Sequence, residues 1–321
     1  QVVGWGMLPA LAFMVFRSFL SAVGHAGFIL YVTIAILAFN AFFAYGLVLG
    51  HFGMPALGMF GASVVALAAN VLGLVLTVTY IVRIPQLHAY ELFVRFWRPD
   101  FHVLWEVFRL GLPISLTILA EVSLFTVASL LMGWIGTVEL AAHGIALQWA
   151  SIAFMIPLGL AQAATVRVGV AAGARDHIGV VRASWVVVVV SAGFSLVGGL
   201  LYALFPTELA ALYLDASKPD AAAVLAYAGG LVVIAGLFQL VDGLQAIAAG
   251  LLRGVKDTTV PMILALISYW GIGFTLAYVL AFHYGLGGTG VWIGFVCGLA
   301  AAAVLLLGRY AILVRRLPKG A

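Results

Sequence analysis

Charged side chains are scarce in this sequence of 321 residues, because Asp, Glu, Lys and Arg together make up only 8%. A water-soluble domain carries roughly 25% charged residues, so this chain has too few charges to cover a surface that faces water. Hydrophobic residues make up 65% of the chain, and lipid is the solvent that such a composition requires. The scarcity of charge therefore indicates an integral membrane protein.

Cysteines and enzyme motifs are also nearly absent. Cys297 is the only cysteine, which excludes a disulfide framework and a cysteine-based zinc cluster. The sequence has no HExxH, GxSxG or P-loop pattern and no pair of aspartate-rich motifs of the prenyltransferase kind. We therefore predict no enzymatic activity, no ATP-driven transport by this chain itself and no bound cofactor.

Long apolar runs are what the sequence has in abundance. A helix needs about 17–25 apolar residues to cross the hydrocarbon core, whereas a barrel strand would alternate over about ten residues. The runs are apolar on all sides, so the sequence predicts an all-α polytopic membrane protein. Nine segments are long enough: residues 4–22, 28–50, 57–82, 110–135, 140–170, 184–205, 222–252, 260–282 and 288–309.

The placement of the basic residues gives the orientation of these segments. When the connections are assigned alternately to the two sides, fourteen of the fifteen basic residues fall on one side and only Lys218 on the other. Lys and Arg accumulate on the cytoplasmic side of membrane proteins. We therefore expect a multi-pass protein of the cell (inner) membrane with its C-terminus in the cytoplasm and Gln1 outside.

An internal repeat predicts how the helices are grouped. At a constant offset of 232 residues, HFGMPALG at His51–Gly58 falls on HYGLGGTG at His283–Gly290. The first three helices thus match the last three of the later six, which predicts three further helices ahead of Gln1 and a twelve-helix, two-lobe (6+6) transporter architecture. We expect residues 1–82 to end the N-terminal lobe, 83–109 to be a cytoplasmic interlobe linker, and 110–321 to form the C-terminal six-helix lobe with a short tail.

Two acids, Glu121 and Asp242, lie deep inside the apolar segments. A charge at mid-bilayer costs roughly 2.5–3.5 kcal/mol on insertion scales, so such groups normally face a cavity or a partner. Gln239 and Gln245 flank Asp242 at three-residue spacing, and Thr117 precedes Glu121 by four residues, which predicts polar support on the same helix faces. The acids either bind a coupling H⁺ or Na⁺ or, as neutral carboxyls, make helix–helix hydrogen bonds.

Pro157 and Gly159 interrupt one apolar segment near its middle, in MIPLGLAQAA. Proline removes a backbone hydrogen bond and bends a helix, and neighbouring helices can satisfy the freed carbonyl. The pair is therefore a candidate hinge, and a simple kink is the alternative.

Three stretches carry a resemblance to a known family. They are ELAAHGIALQWASIAFMIPLGLAQAATVRVGVAAGARD at Glu139–Asp176, LRGVKDTTVPMI at Leu252–Ile263 and GTGVWIGFVCGL at Gly288–Leu299. Together they resemble the multidrug and toxic compound extrusion (MATE) family of antiporters, especially its NorM-like branch. The resemblance covers nearly the whole chain and implies a fold of twelve helices in two six-helix lobes.

The resemblance also implies roles for individual residues. Glu121 and Asp242 match the family's acids in its seventh and tenth helices, which are implicated in cation coupling, and Asn40 matches a polar position near the cation site of the N-terminal lobe. The sequence departs from the family at Ala44, where a second Asn is frequent, and at Gly144, where Gln is usual.

Composition, repeat and resemblance together predict a secondary active multidrug efflux antiporter. It would export amphipathic or cationic organic compounds in exchange for H⁺ or Na⁺ by alternating access, as a monomer in the lipid bilayer with no nucleic-acid partner. The alternatives are a lipid-linked oligosaccharide flippase of the same superfamily, an intramembrane enzyme such as a prenyl transferase, and a passive channel.

Overall fold

The computed structural model describes residues 2–94, 99–215, 217 and 219–316, with side chains from Gly4 onward. Four of the basic residues used to orient the chain, Arg95, Arg98, Lys218 and Lys319, lie outside the described residues. We number the helices in chain order: α1 Val2–Ala22, α2 Ala26–Leu49, α3 Gly58–Arg83, α4 Pro85–His88, α5 Phe101–Ile135, α6 Thr137–Gly173, α7 His177–Leu204, α8 Pro206–Ala211, α9 Ala221–Gly254, α10 Thr259–His283 and α11 Gly287–Arg316.

The long helices confirm the predicted all-α polytopic fold. Within the described part of the chain, nine helices are long and apolar enough to cross a membrane, and they coincide with the nine predicted segments. Several continue beyond their apolar runs on the side where the basic residues accumulate: α5 begins at Phe101, α7 at His177, and α11 ends at Arg316. The apolar segments end where charged residues begin, but the helices continue beyond them into the membrane–water interface.

The chain divides into two compact units, Gln1–Asp100 and Phe101–Ala321. In the first unit, α1 and α3 pack together around buried Leu20 and Ile81, and Leu87 of the short helix α4 completes that cluster. The predicted lobe boundaries stay a prediction, although the last residues of the expected linker, 101–109, already form the first turns of α5.

Helix α9 is the central element of the second unit, where it packs against α6, α7 and α11. Small residues allow close approach: a Cβ added at Gly250 would lie 2.5 Å from the carbonyl oxygen of Ala161 in α6. The hydroxyl of Thr165 adds a shared hydrogen bond, since its Oγ1 lies 2.9 Å both from the carbonyl oxygen of Gly250 and from that of Ala161 on its own helix. Close backbone approach and interhelical hydrogen bonds replace the hydrophobic effect, which lipid does not supply between helices.

Helices α10 and α11 are joined by an even closer contact. Three glycines spaced four residues apart form one face of α11, and small residues with the same spacing face them from α10. The contacting pairs are Gly290 with Ala281, Gly294 with Ala277, and Gly298 with Gly273. Part of α10 is π-helical, over Ile267–Phe274 and Val279–His283. This glycine face explains the GTGVWIGFVCGL motif as a packing device.

The internal repeat is visible in the backbone. Gly24 follows α1 with a φ of 87°, and Lys256 follows α9, 232 residues later, with a φ of 59°. The same holds for Gly53 and Gly285, whose φ angles are 74° and 69°. Left-handed residues thus recur at two pairs of corresponding turn positions, in agreement with the repeat. The turns are not identical, since Gly50, Phe52, Gly58 and Gly287 have positive φ without a positive-φ counterpart at this offset.

Candidate functional site

A cavity of about 320 Å³ lies inside the second unit, between α5, α6 and α9. Glu121 of α5 and Asp242 of α9 both line it, together with Phe125, Phe154 and Phe238. The two acids that lie deep inside apolar segments of the sequence are thus brought to one cavity by two different helices.

Asp242 is the more deeply buried of the two acids, with 5% of its surface exposed. Its Oδ1 has no hydrogen-bond partner. A buried polar oxygen without a partner is costly, so this atom is available to a proton or a cation. Glu121 is partly buried, interacts electrostatically with Asp242, and has a cation within electrostatic range in Arg253, in the last turn of α9.

Three aromatic rings form part of the apolar wall of the cavity, beside Val122, Leu147 and Ala150. Phe125 follows Glu121 by four residues and Phe238 precedes Asp242 by four, so each ring lies one helical turn from its acid. The two rings pack edge to face with their centroids 6.0 Å apart. Sequence reasoning missed these residues, although the spacing of four from each acid was a usable signal.

The two glutamines beside Asp242 do not join it in the cavity wall. Gln239 is 3% exposed and donates its Nε2–H to the carbonyl oxygen of Ser195 in α7, 3.3 Å away, whereas Gln245 is 2% exposed and donates to the hydroxyl of Tyr269 in α10. Two residues six positions apart are separated by about 120° around a helix. The two glutamines therefore point to different neighbouring helices, on either side of Asp242. The Oε1 atoms of both glutamines lack partners, as Oδ1 of Asp242 does.

Two other predicted polar residues lie away from the cavity. Thr117 is 8% exposed and donates its hydroxyl to the carbonyl oxygen of Pro113, 2.8 Å away on its own helix. That bond satisfies the hydroxyl locally, and Thr117 is not part of the cavity lining. Asn40 lies in the middle of α2 in the first unit and is partly buried. Its part in a cation site stays a prediction.

The predicted hinge residues lie within α6, which is helical from Thr137 to Gly173. Pro157 is buried, and its Cγ would be 3.2 Å from a Cβ added at Gly243, the residue after Asp242. Gly159 has open space around it. The proline thus packs directly on the helix that carries the acid, and hinge motion at this point stays a prediction.

A second polar group, not predicted from the sequence, joins three helices next to the cavity. His143 of α6 is 1% exposed; the Nε1–H of Trp292 donates to its Nδ1 across 3.1 Å, and its Nε2 lies 3.3 Å from the Oγ of Ser129. Ser129 lines the cavity, and the Trp292 ring packs edge to face against Phe238. Motif position alone could not reveal this contact, because it depends on the register between helices.

The arrangement fits reversible binding of cations. Two carboxyl groups, one with an unpartnered oxygen, can each hold a proton or donate oxygen ligands to a small hard cation such as Na⁺. Aromatic faces beside them attract the cationic part of an organic molecule and cover its apolar part.

Comparison with known proteins connects this site to a family. The family model MatE matches residues 113–279, which include both acids and α6. The chain is 64% identical over 316 residues to "Probable multidrug resistance protein NorM" of Rhizobium meliloti strain 1021, covering 98% of this chain and 68% of the relative. It is 42% identical over 306 residues to the protein of the same name from Brucella suis, covering 95% of this chain and 65% of the relative. The chain thus spans about two thirds of the length of these relatives.

Solved structures agree in fold. An outward-facing multidrug resistance MATE family transporter of the MOP superfamily superposes with a TM-score of 0.80 at 19% identity, covering 96% of this chain and 67% of that one. The eukaryotic MATE transporter AtDTX14 gives a TM-score of 0.75 at 20% identity, covering 98% and 79%. These matches confirm the resemblance read from the motifs. The chain belongs to the MATE family, whose members are transporters and not enzymes.

Proposed function

We propose that this protein is a secondary active multidrug efflux antiporter. It exports amphipathic, cationic organic compounds in exchange for H⁺ or Na⁺, and alternating access moves both across the membrane. The proposal draws on the multidrug resistance named for the relatives and on the chemistry of the cavity.

One observation carries the proposal: Glu121 and Asp242 share a cavity that three aromatic rings also line. An organic cation and a coupling cation are attracted by the same negative charge. Loading the carboxyls with H⁺ or Na⁺ removes that charge and weakens the binding of the cargo. Competition for two shared acids thus links the entry of one cation to the release of another.

Alternating access needs a helix that changes shape while the site stays intact. Proline removes the hydrogen bond to the carbonyl oxygen four residues before it, so Pro157 weakens α6 in the middle of the membrane. Because Pro157 packs on Gly243, beside Asp242, we propose that loading of Asp242 changes the bend of α6 at Pro157 and Gly159.

Charge placement supports the orientation of the transporter. Partly buried Arg309 and exposed Arg315 and Arg316 lie near the C-terminal end of α11, which we assign to the cytoplasmic side of the inner membrane. Small-molecule substrates and the bilayer are the partners that this reading requires, and a monomer suffices for it.

A flippase for lipid-linked oligosaccharides is not favoured by the site. Its diphosphate-linked substrate would need cations in the cavity, whereas both charged side chains that line the described cavity are acids. A passive channel needs no pair of acids in its cavity.

The test is ethidium transport by the full-length protein in proteoliposomes, with proton and sodium gradients imposed separately. We expect one gradient to drive efflux, and we expect Asp242→Asn and Glu121→Gln to abolish gradient-driven efflux because neither amide can be loaded. Asp220→Asn and Glu106→Gln are matched controls, since these acids are exposed and lie outside the cavity. Efflux that ignores both gradients, or that survives in both cavity variants, would refute the antiport proposal.

A further inference from the structure

The hydrogen bonds around His143 determine the position of its proton. Trp292 offers only an N–H, which donates and cannot accept. Because that N–H points at Nδ1 of His143 across 3.1 Å, Nδ1 must accept, and the ring proton lies on Nε2. The three helices α5, α6 and α11 therefore hold the ring in a single tautomer.

The same argument continues to Ser129. The Nε2–H of His143 faces the Oγ of Ser129 at 3.3 Å, so the serine oxygen accepts that hydrogen bond. Ser129 in turn donates its hydroxyl hydrogen to the carbonyl oxygen of Phe125, 3.1 Å away on the same helix. Ser129 is left with one lone pair and no free hydrogen, and it lines the cavity. It can serve the cavity only as an acceptor.

We propose that Ser129 is a specificity-determining residue of the cavity, which favours cargo cations that carry an N–H over equally charged cations that carry none. His143 and Trp292 are positioning residues, because they act only by fixing the orientation of the Ser129 hydroxyl. This inference rests on the proposed export of organic cations and deepens it by naming a substrate preference.

Other polar groups also line the cavity. Glu121 and Asp242 attract any cation through charge, and their oxygens accept N–H bonds as well, as can the hydroxyl oxygens of Thr126 and Ser151. Ser129 therefore contributes part of the preference for an N–H. Ser123 donates its hydroxyl to the carbonyl oxygen of Ala120, 2.9 Å away on the same helix, but does not line the cavity. It provides a matched control.

A pair of fluorescent dyes isolates the N–H. Protonated acridine orange carries a single N–H, on its ring nitrogen, because both outer amines are dimethylated. Its 10-methyl derivative has the same charge and ring system but carries a methyl group in place of the N–H. We would measure binding of both dyes to the purified full-length protein in lipid nanodiscs by fluorescence anisotropy, in wild type and variants.

We expect the wild type to bind acridine orange about tenfold more tightly than the methyl derivative, the size of one hydrogen bond from a charged donor, or about 1.4 kcal/mol. Ser129→Ala should narrow the ratio of the two dissociation constants by weakening acridine orange alone. Ser123→Ala should leave the ratio unchanged, because Ser123 does not line the cavity.

The positioning role has its own readout. His143→Gln keeps an acceptor for Trp292 and a donor for Ser129, so it should retain most of the preference, whereas His143→Leu should narrow the preference as Ser129→Ala does. A merely structural defect would weaken both dyes equally and leave the ratio as it is.

Each outcome bears on a separate claim. If neither dye binds the wild type, the proposed export of organic cations fails, and the inference with it. If both dyes bind the wild type with equal affinity, or if Ser129→Ala leaves the ratio of the two dissociation constants unchanged, the specificity inference alone is overturned.

Discussion

The glycine face of α11 supports a prediction whose size follows from the structure. A Cβ added at Gly298 would lie 2.6 Å from Cα of Gly273, 3.0 Å from the carbonyl oxygen of Ser268 and 3.1 Å from the backbone nitrogen of Gly273. All of these are backbone atoms, so no side chain can rotate away. The two helices must separate by about 1 Å to restore ordinary carbon–carbon contact at roughly 3.5–4.0 Å.

Gly298→Ala should therefore destabilise the protein. Overpacking of this kind costs about 1–3 kcal/mol, and the better helix propensity of alanine returns up to about 1 kcal/mol. Gly308→Ala is the matched control, because Gly308 lies on the same helix with open space where its Cβ would be. The propensity gain is common to both variants, so the difference between them isolates the packing cost.

Thermal melting in detergent, followed by fluorescence-detected size exclusion, measures that difference. At about 2–4 °C per kcal/mol for a unit of this size, Gly298→Ala should melt several degrees below Gly308→Ala. If the two variants melt together, or if Gly298→Ala melts higher, then α10 and α11 are not held at the distance described, and the packing argument is refuted.

Two further predictions concern bonds between elements of the second unit. Thr165→Val should lower the free energy of unfolding by about 0.5–1.5 kcal/mol, since it removes the hydrogen bond to Gly250 of α9. Thr126→Val should be nearly neutral in the same melting assay, because it removes a hydrogen bond within one helix only. Asp257 and Arg309 form a partly buried ion pair with Nε and Oδ2 2.8 Å apart, and a double-mutant cycle of Asp257→Asn with Arg309→Gln should give a coupling energy of about 1 kcal/mol. A melting loss in Thr126→Val equal to that of Thr165→Val, or a coupling energy of zero, would contradict these assignments.

Much of the fold could be predicted because the bilayer imposes it. An apolar run long enough to cross the membrane must be a helix, since lipid offers no partner for backbone polar groups. That requirement acts on each segment alone, which explains why the nine long helices of the described residues were all predicted. The helix ends at Phe101, His177 and Arg316 were not, because beyond the hydrocarbon core the backbone can be helical or not without a strong penalty.

The repeat could also be read from the sequence, for a different reason. The turn after α1 and the turn after α9 each reverse the chain through one residue with positive φ, Gly24 and Lys256. His25 and Asp257 then donate their backbone N–H groups to the carbonyl oxygens of Leu20 and Leu252, at 2.8 and 3.0 Å. Turn geometry of this kind keeps loop length constant, so a fixed offset survives even where identities are sparse.

The composition of the cavity shows where prediction from sequence reaches its limit. Asp242 is conspicuous in a sequence because a carboxyl inside an apolar run is costly, so its presence alone indicates a cavity or a partner. Ser129 gives no such signal, because a serine in a helix satisfies its hydroxyl on its own backbone and is ordinary at any depth. What distinguishes Ser129 is that His143 and Trp292 approach it from two other helices, and that depends on how α5, α6 and α11 pack. The charge that attracts a cation can therefore be predicted from one segment, whereas the group proposed to select among cations requires three helices in register.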